Sequence, residues 1–455
     1  MSRPVLLLEI NEVPWRLIDR FSGNAYSSID RFFSNSRTLT NVAIDSGELS
    51  PWVTWPTFHR GMPNEKHGIK SLGQDPSTFQ GVPIWKEFRN RGYVIGIFGS
   101  LQSWPPVDPG EEGFYVPDTF AHDSSCIPAS LEPLQRFNLG QTASNRRVVG
   151  SVRIFSKETL QLLKSLSFVR SRTLAGAAWQ ILSERVDKVR ISRRPVFQAT
   201  LMWDAFRKLF DPTHPPAFAT FFTNHVAGVM HRYWHNVFPK DFGLRNEKAT
   251  TRYLSTMKFA MNALNRILTD AMAYCAQNPS LVVVFASSMG QSAVHRSYYE
   301  GVQLVLKDFG KLANCLRLDR RSYRELLAMD PQTAIEIKDA EIRKHTIEAL
   351  ASCRTIFGEQ LFSVEESCNS LSITMRLPSK ADIETGYWKM GDLSLSWPEG
   401  GIEVLYIDPG TGYHIPEGAM AVYGEGISPD PSRQCLQADQ AKDYILKLAG
   451  VDLEH

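Results

Sequence analysis

Short apolar runs that stop abruptly at polar turns recur along this chain. Val5–Leu8 runs into Glu9-Ile10-Asn11-Glu12, Tyr93–Phe98 into Gly99-Ser100, and Ala217–Phe222 into Thr223-Asn224-His225. Leu281–Ala286 runs into Ser287-Ser288-Met289-Gly290, and Val404–Ile407 into Asp408-Pro409-Gly410. Runs of this length, rich in β-branched and aromatic residues, are the pattern of strands buried on both faces, as in a parallel sheet. Helical patterns separate them at 81–91, 247–276 and 437–449. The alternation predicts an α/β fold, a doubly wound and mostly parallel sheet sandwiched by helices. Ligands bind such sheets outside the carboxyl ends of the strands, so a site is expected among these polar turns.

Two stretches break the rhythm. Residues 126–195 carry no strand pattern and read as a basic helical insertion or cap, with twelve Lys/Arg against three acids from Arg146 to Arg194. That charge suits either a solvated helix face or a lid over an anionic substrate or polyanion. Residues 318–400 combine a helical pattern at 337–352 with alternation at 371–376, which predicts a small α+β insertion. The core is then expected in three pieces, 1–125, 196–317 and 401–455, the last ending in a helix.

Composition narrows the partners. Of 455 residues, 43% are apolar and 22% charged, which is globular and not disordered. A net charge of +2 gives no general reason to expect nucleic acid, although the 146–194 segment could meet a polyanion. No run approaches the ~18 apolar residues a membrane span needs, so no membrane partner is expected. The four apolar residues before Glu9 are too short for a signal-peptide core, and a cytoplasmic location is expected. Six cysteines without a CxxC pair argue for reduced thiols and against a zinc–cysteine site. Leu453-Glu454-His455 reads as the start of a purification tag.

The chemistry centres on Thr54, in Ser50-Pro51-Trp52-Val53-Thr54-Trp55-Pro56. Thr54 precedes Trp55-Pro56 and Pro favours the first turn of a helix, so Thr54 is expected at a helix start among free N–H groups. That place suits a phosphate or sulfate and a nucleophile attacking one, or simply a helix cap. Further along come Gly61-Met62-Pro63, His67-Gly68-Ile69, Gly92-Tyr93, Asn224-His225, His231-Arg232-Tyr233-Trp234, Ser287-Ser288-Met289-Gly290, and Gly412-Tyr413-His414 with Gly418.

In this order the segments resemble the alkaline phosphatase superfamily, in its type I phosphodiesterase and sulfatase-like branches. The resemblance covers roughly 1–120, 196–300 and 400–430. It implies an enzyme acting on a phosphate-type or sulfate-type ester, with Thr54 as nucleophile or anion anchor. The family holds two divalent metals, and there this sequence departs from it. Asn11 and Glu12 stand where the family has Asp-Gly, Ser288 and Met289 where it has Asp-His, and Asn224 or Ala227 where it has another Asp. Neutral residues and a soft thioether do not make a two-zinc cage.

No cofactor is firmly expected, and at most one divalent ion, zinc or manganese. Its candidate ligands are Glu9, His231 and His414, with His225 and Glu12 also available. Without metal, His225, His231 or His414 would act as bases, and Asn11, Asn224 and Ser288 would donate to the anion. Trp55, with Trp52, Tyr233 and Trp234, reads as a stacking wall or as core. His67 reads as structural, and His59 and His295 as surface or packing residues. Three functions stay open: the ester hydrolase, a metal-independent group transferase in a biosynthetic pathway with a small anionic substrate, and a non-catalytic anion-binding or scaffold protein.

Overall fold

The computed structural model describes residues 3–145, 169–243, 248–294, 302–326, 328, 332–367, 369–376, 379–406 and 411–451. The part of the basic segment at 146–168, His295 and the turn Asp408–Gly410 lie outside them.

The apolar runs become a central eight-stranded sheet. In chain order its strands are β1 (Val5–Ile10), β2 (Arg37–Val42), β3 (Ile95–Phe98), β4 (Phe114–Val116), β5 (Phe218–Thr223) and β6 (Val282–Ala286). A hairpin strand β7 (Gly290–Ala293) follows. Between them and the C-terminal strands lie β8 (Val302–Leu306), β9 (Arg324–Leu326), β10 (Gln332–Glu336), β11 (Cys353–Thr355), β12 (Phe362–Ser367), β13 (Ser370–Met375), β14 (Tyr387–Met390), β15 (Leu393–Ser396) and β16 (Ile402–Tyr406). The chain closes with β17 (Gly412–Ile415), β18 (Glu417–Tyr423) and β19 (Asp430–Gln437).

The sheet order is β19-β2-β18-β6-β1-β5-β3-β4. β18 alone runs against the others: its pairings with β2 and β6 are antiparallel, and every other pairing in the sheet is parallel. This is the doubly wound α/β arrangement the periodicity predicts. β1 is at its centre, every residue buried. Alternate side chains feed two cores: Leu6, Leu8 and Ile10 pack with the helices Arg194–Leu209, His225–Val237 and Lys248–Gln277. Val5 and Leu7 pack with Pro51–Arg60, Ile84–Asn90 and Ala441–Leu448. A strand covered on both faces has no polar face to offer, hence its continuous apolar sequence.

Of the stretch Val404–Ile407, the described part, Val404–Tyr406, does not enter this sheet. Residues Ile402–Tyr406 pair antiparallel with Val302–Leu306 instead. The exposed Glu403 beside buried Ile402 marks a strand covered on one face only. The strands from β8 to β16 surround a separate apolar cluster that includes Leu304, Phe309, Leu371 and Trp388. Among the described residues, 126–195 is mainly helical, with Glu132–Asn145 and Ser171–Val186 as its α-helices.

Candidate active site

The site grows from the carboxyl end of β1. Ile10 ends the strand, and Glu12 then takes a left-handed φ of 61°. That conformation is costly for a residue with a Cβ and implies that its surroundings hold it. They do. Glu12 Oε1 accepts from the Asn11 amide at 2.8 Å, and Oε2 accepts from the Gln291 amide of β7. His231 Nε2 lies 2.9 Å and His414 Nε2 3.3 Å from the same Oε2.

Each histidine is fixed through its other nitrogen. His231 Nδ1 bonds the Gly412 carbonyl at 3.0 Å, and His414 Nδ1 the Leu49 carbonyl at 2.6 Å. Gly412 has to be glycine for this approach, because a Cβ there would come 2.6 Å from the Met230 carbonyl. A carbonyl on Nδ1 makes that nitrogen the N–H donor. A neutral ring would then set its Nε2 lone pair against a carboxylate oxygen. The geometry therefore calls for a proton on Nε2 or a cation shared by all three groups. Burial alone would raise the Glu12 pKa, but the His231 and His414 rings outweigh it and hold the carboxyl far below the usual range. Burial would lower the His414 pKa, and its bond to Glu12 overcomes that and raises it.

Asn11 ties this group to a second strand and to the neighbouring helix. Its Oδ1 accepts from the Trp55 indole at 2.9 Å, so its amide nitrogen faces Glu12 and the Asn224 oxygen, 2.8 Å away. Asn224 is exposed, and its own amide nitrogen is left as a donor at the rim.

Thr54 lies elsewhere than expected. The helix begins one turn earlier, at Pro51 with Ser50 at its cap, and Pro56 lies inside it. Pro51 takes the first-turn role that the sequence reading gave to Pro56. The Thr54 N–H is already bonded to the Ser50 carbonyl at 3.0 Å. Its hydroxyl is fully buried and 2.7 Å from the Ser288 hydroxyl. Ser288, also fully buried, is held where β6 ends by Asn41, which donates to the Ser287 and Ser288 carbonyls.

Three other residues leave the expected grouping. Glu9 points to the opposite side of β1 and sits 2.8 Å from His59, with both side chains buried. Alternation along a strand puts successive residues on opposite faces, and only the turn beyond the strand brings a carboxylate to the histidines. His59 is thus a buried partner, stacked 5.4 Å from Trp55. His225 bonds the Thr223 hydroxyl at 2.8 Å and is buried away from the cluster. It lies six positions before His231 on one helix, roughly 240° round the axis at 3.6 residues per turn. Trp55 is fully buried and supports Asn11, so it offers no face to a ligand. Tyr233 stacks on Tyr253 at 4.5 Å, and Trp234 is core. Sequence reasoning missed Gln291 and Leu49, and it met Gly412 only as part of a motif. The last two act through backbone carbonyls, which no side-chain pattern announces.

No protein-family model matches the chain, and no curated protein sequence matches it. Among solved structures, it is similar to murine ectonucleotide pyrophosphatase/phosphodiesterase 5, in an inactive variant in complex with AMP. Identity is 10% and the TM-score 0.46, over 100% of this chain and 97% of that one. The human form gives 10%, 0.46, 100% and 96%. A variant of alkaline phosphatase PafA gives 14% and 0.46, over 99% of this chain and 97% of that one.

Proposed function

We propose that this chain processes a phosphate-type or sulfate-type ester, as its resemblance to the alkaline phosphatase superfamily implies, at a centre made of Glu12, His231 and His414. The observation that carries this is the convergence of one carboxylate and two ring nitrogens, within 4.8 Å of one another, at the carboxyl edge of the sheet. The donor set fits a single divalent cation, zinc or manganese, because each ring is oriented through its other nitrogen in the way metal-bound histidines are. It does not fit two, since Asn11 and Ser288 are neutral and already bonded to Trp55 and Thr54. A bound ion supplies a Lewis acid for the ester oxygen.

The chain's own residues do the rest. Glu12 keeps its charge beside the two rings and is positioned by Asn11 and Gln291. Asn224 offers an amide donor to a substrate oxygen at the rim. Thr54, paired with Ser288, is the hydroxyl in reserve as nucleophile or anchor. The raised pKa of His414 favours a second reading, in which a protonated imidazole serves as general acid without metal. Elemental analysis of the purified full-length protein, with turnover of a chromogenic phosphodiester before and after chelation, tests the two. One ion per chain and activity lost to chelator establish the metal centre. Activity without metal establishes the imidazolium reading. Absence of turnover on every phosphate and sulfate ester tried overturns both. An acceptor alcohol that appears in the product makes the enzyme a group transferase.

A further inference from the structure

The helix Ser171–Val186 is inside out. Its residues Thr173, Gln180 and Ser183 are buried, while Leu174, Trp179, Leu182 and Val186 are 44%, 66%, 55% and 91% exposed. These are four of the eight exposed large hydrophobic residues among the described residues, so the exposure is concentrated on one element. The buried face is polar because it is tethered by hydrogen bonds. Thr173 donates to Asp204 at 2.7 Å, and the Gln180 amide donates beyond the helix to the Arg190 carbonyl at 2.5 Å. Just before the helix, Arg170 bonds Asp270 at 2.8 Å.

At about 100° per residue, Leu174, Ala175, Ala178, Trp179, Leu182 and Val186 fall within one arc. Arg172 stands just beyond Trp179 at one edge of that arc, and Arg185 lies just inside the opposite edge, beside Leu174; both are exposed. No acid falls in it; Glu184 is turned to Arg194, 2.8 Å away. Exposed Lys188 follows at the helix end. An apolar face with a tryptophan, edged by arginines whose stems run along apolar surface, is the design of a helix lying in a membrane interface. No helix among the described residues is long and apolar enough to cross a membrane, so the contact is with its surface.

We propose that this helix docks the protein on an anionic lipid surface, the arginines meeting the headgroups and the Trp179–Val186 stripe entering the acyl boundary. This departs from the sequence expectation of no membrane partner, and it stands apart from the ester-processing proposal.

Full-length protein is sedimented with vesicles of phosphatidylglycerol and phosphatidylcholine, and with phosphatidylcholine alone. Binding is expected only to the anionic vesicles. Leu182→Glu with Val186→Glu should weaken it at least about tenfold, and Arg172→Gln or Arg185→Gln about fivefold each, all with unchanged thermal unfolding. No binding to anionic vesicles overturns the proposal, as does binding unchanged by the glutamates. Two further results overturn it: lipid-free self-association that the glutamates abolish, which makes the occupant a second copy, and glutamates that lower the unfolding temperature by several degrees, which means the face is covered within the chain.

Discussion

Two polar groups sit at the carboxyl edge of the same sheet, and they differ in what they lack. The Glu12–His231–His414 group has charge, partial access and oriented rings, but no nucleophile of its own. The Thr54–Ser288 pair has two hydroxyls but no charge, no exposure and no base in hydrogen-bond contact. In the superfamily that the sequence resembles, metals are expected to join such halves. Here Asn11 and Ser288, neutral residues between the two groups, are bonded to Trp55 and Thr54. Position in a motif therefore does not assign a role; the charge around it does.

The comparison is broken most sharply at Glu12. Glu12→Gln should lower turnover by at least about a thousandfold, since it removes the anion that both rings face. Circular dichroism should show the fold retained, and a variant with near-normal kcat would move the centre elsewhere. Thr54 comes next. Thr54→Ala should cost about a hundredfold or more and Thr54→Ser much less, if the hydroxyl pair is part of the chemistry. Equal activity in all three proteins would make the pair packing alone.

His225 sharpens the comparison from outside both groups. Burial lowers its pKa from 6.5 to about 4, so the unfolded chain takes up a proton before the folded one does. Its contribution is fully present above pH 6.5, falls as pH drops toward 4, and is lost below that. The total is on the order of 3 kcal/mol at 1.36 kcal/mol per unit. Denaturant unfolding of His225→Gln should show a flatter loss of stability between pH 6.5 and 4, with turnover at pH 7 unchanged. A large fall in kcat would return His225 to the site. The smallest effect is at the rim, where Asn224→Ala should raise KM or lower kcat about tenfold by removing one donor. No change in either constant would mean that substrate does not reach it.

How much of this was legible follows from what local sequence can express. β1, β5 and β6 were readable because burial on both faces leaves an unbroken apolar run. β19 was not, since its edge position leaves a largely exposed pattern. β2 was not, since Thr38 and Asn41 are buried through bonds to Asp430 and the Ser287–Ser288 backbone. His231 and His414 could be nominated from the order of motifs. The choice of Glu12 over Glu9 could not, because it depends on a left-handed turn that only the assembled partners sustain. The N–H of Thr54 was misjudged because Pro51 and Pro56 offer the same local signal, and tertiary packing decides which one starts the helix.

The lone antiparallel strand has a consequence for how the molecule is made. β2 ends at Val42, and of its neighbours β18 begins only at Glu417 and β19 at Asp430. Roughly 375 residues separate β2 from β18, which at about 5–20 residues per second is on the order of tens of seconds of translation. Throughout that time the nascent chain carries a strand without its mates. His414 leaves the ribosome just ahead of β18. Sheet closure and the meeting of Glu12 and His231 with His414 thus become late events of synthesis.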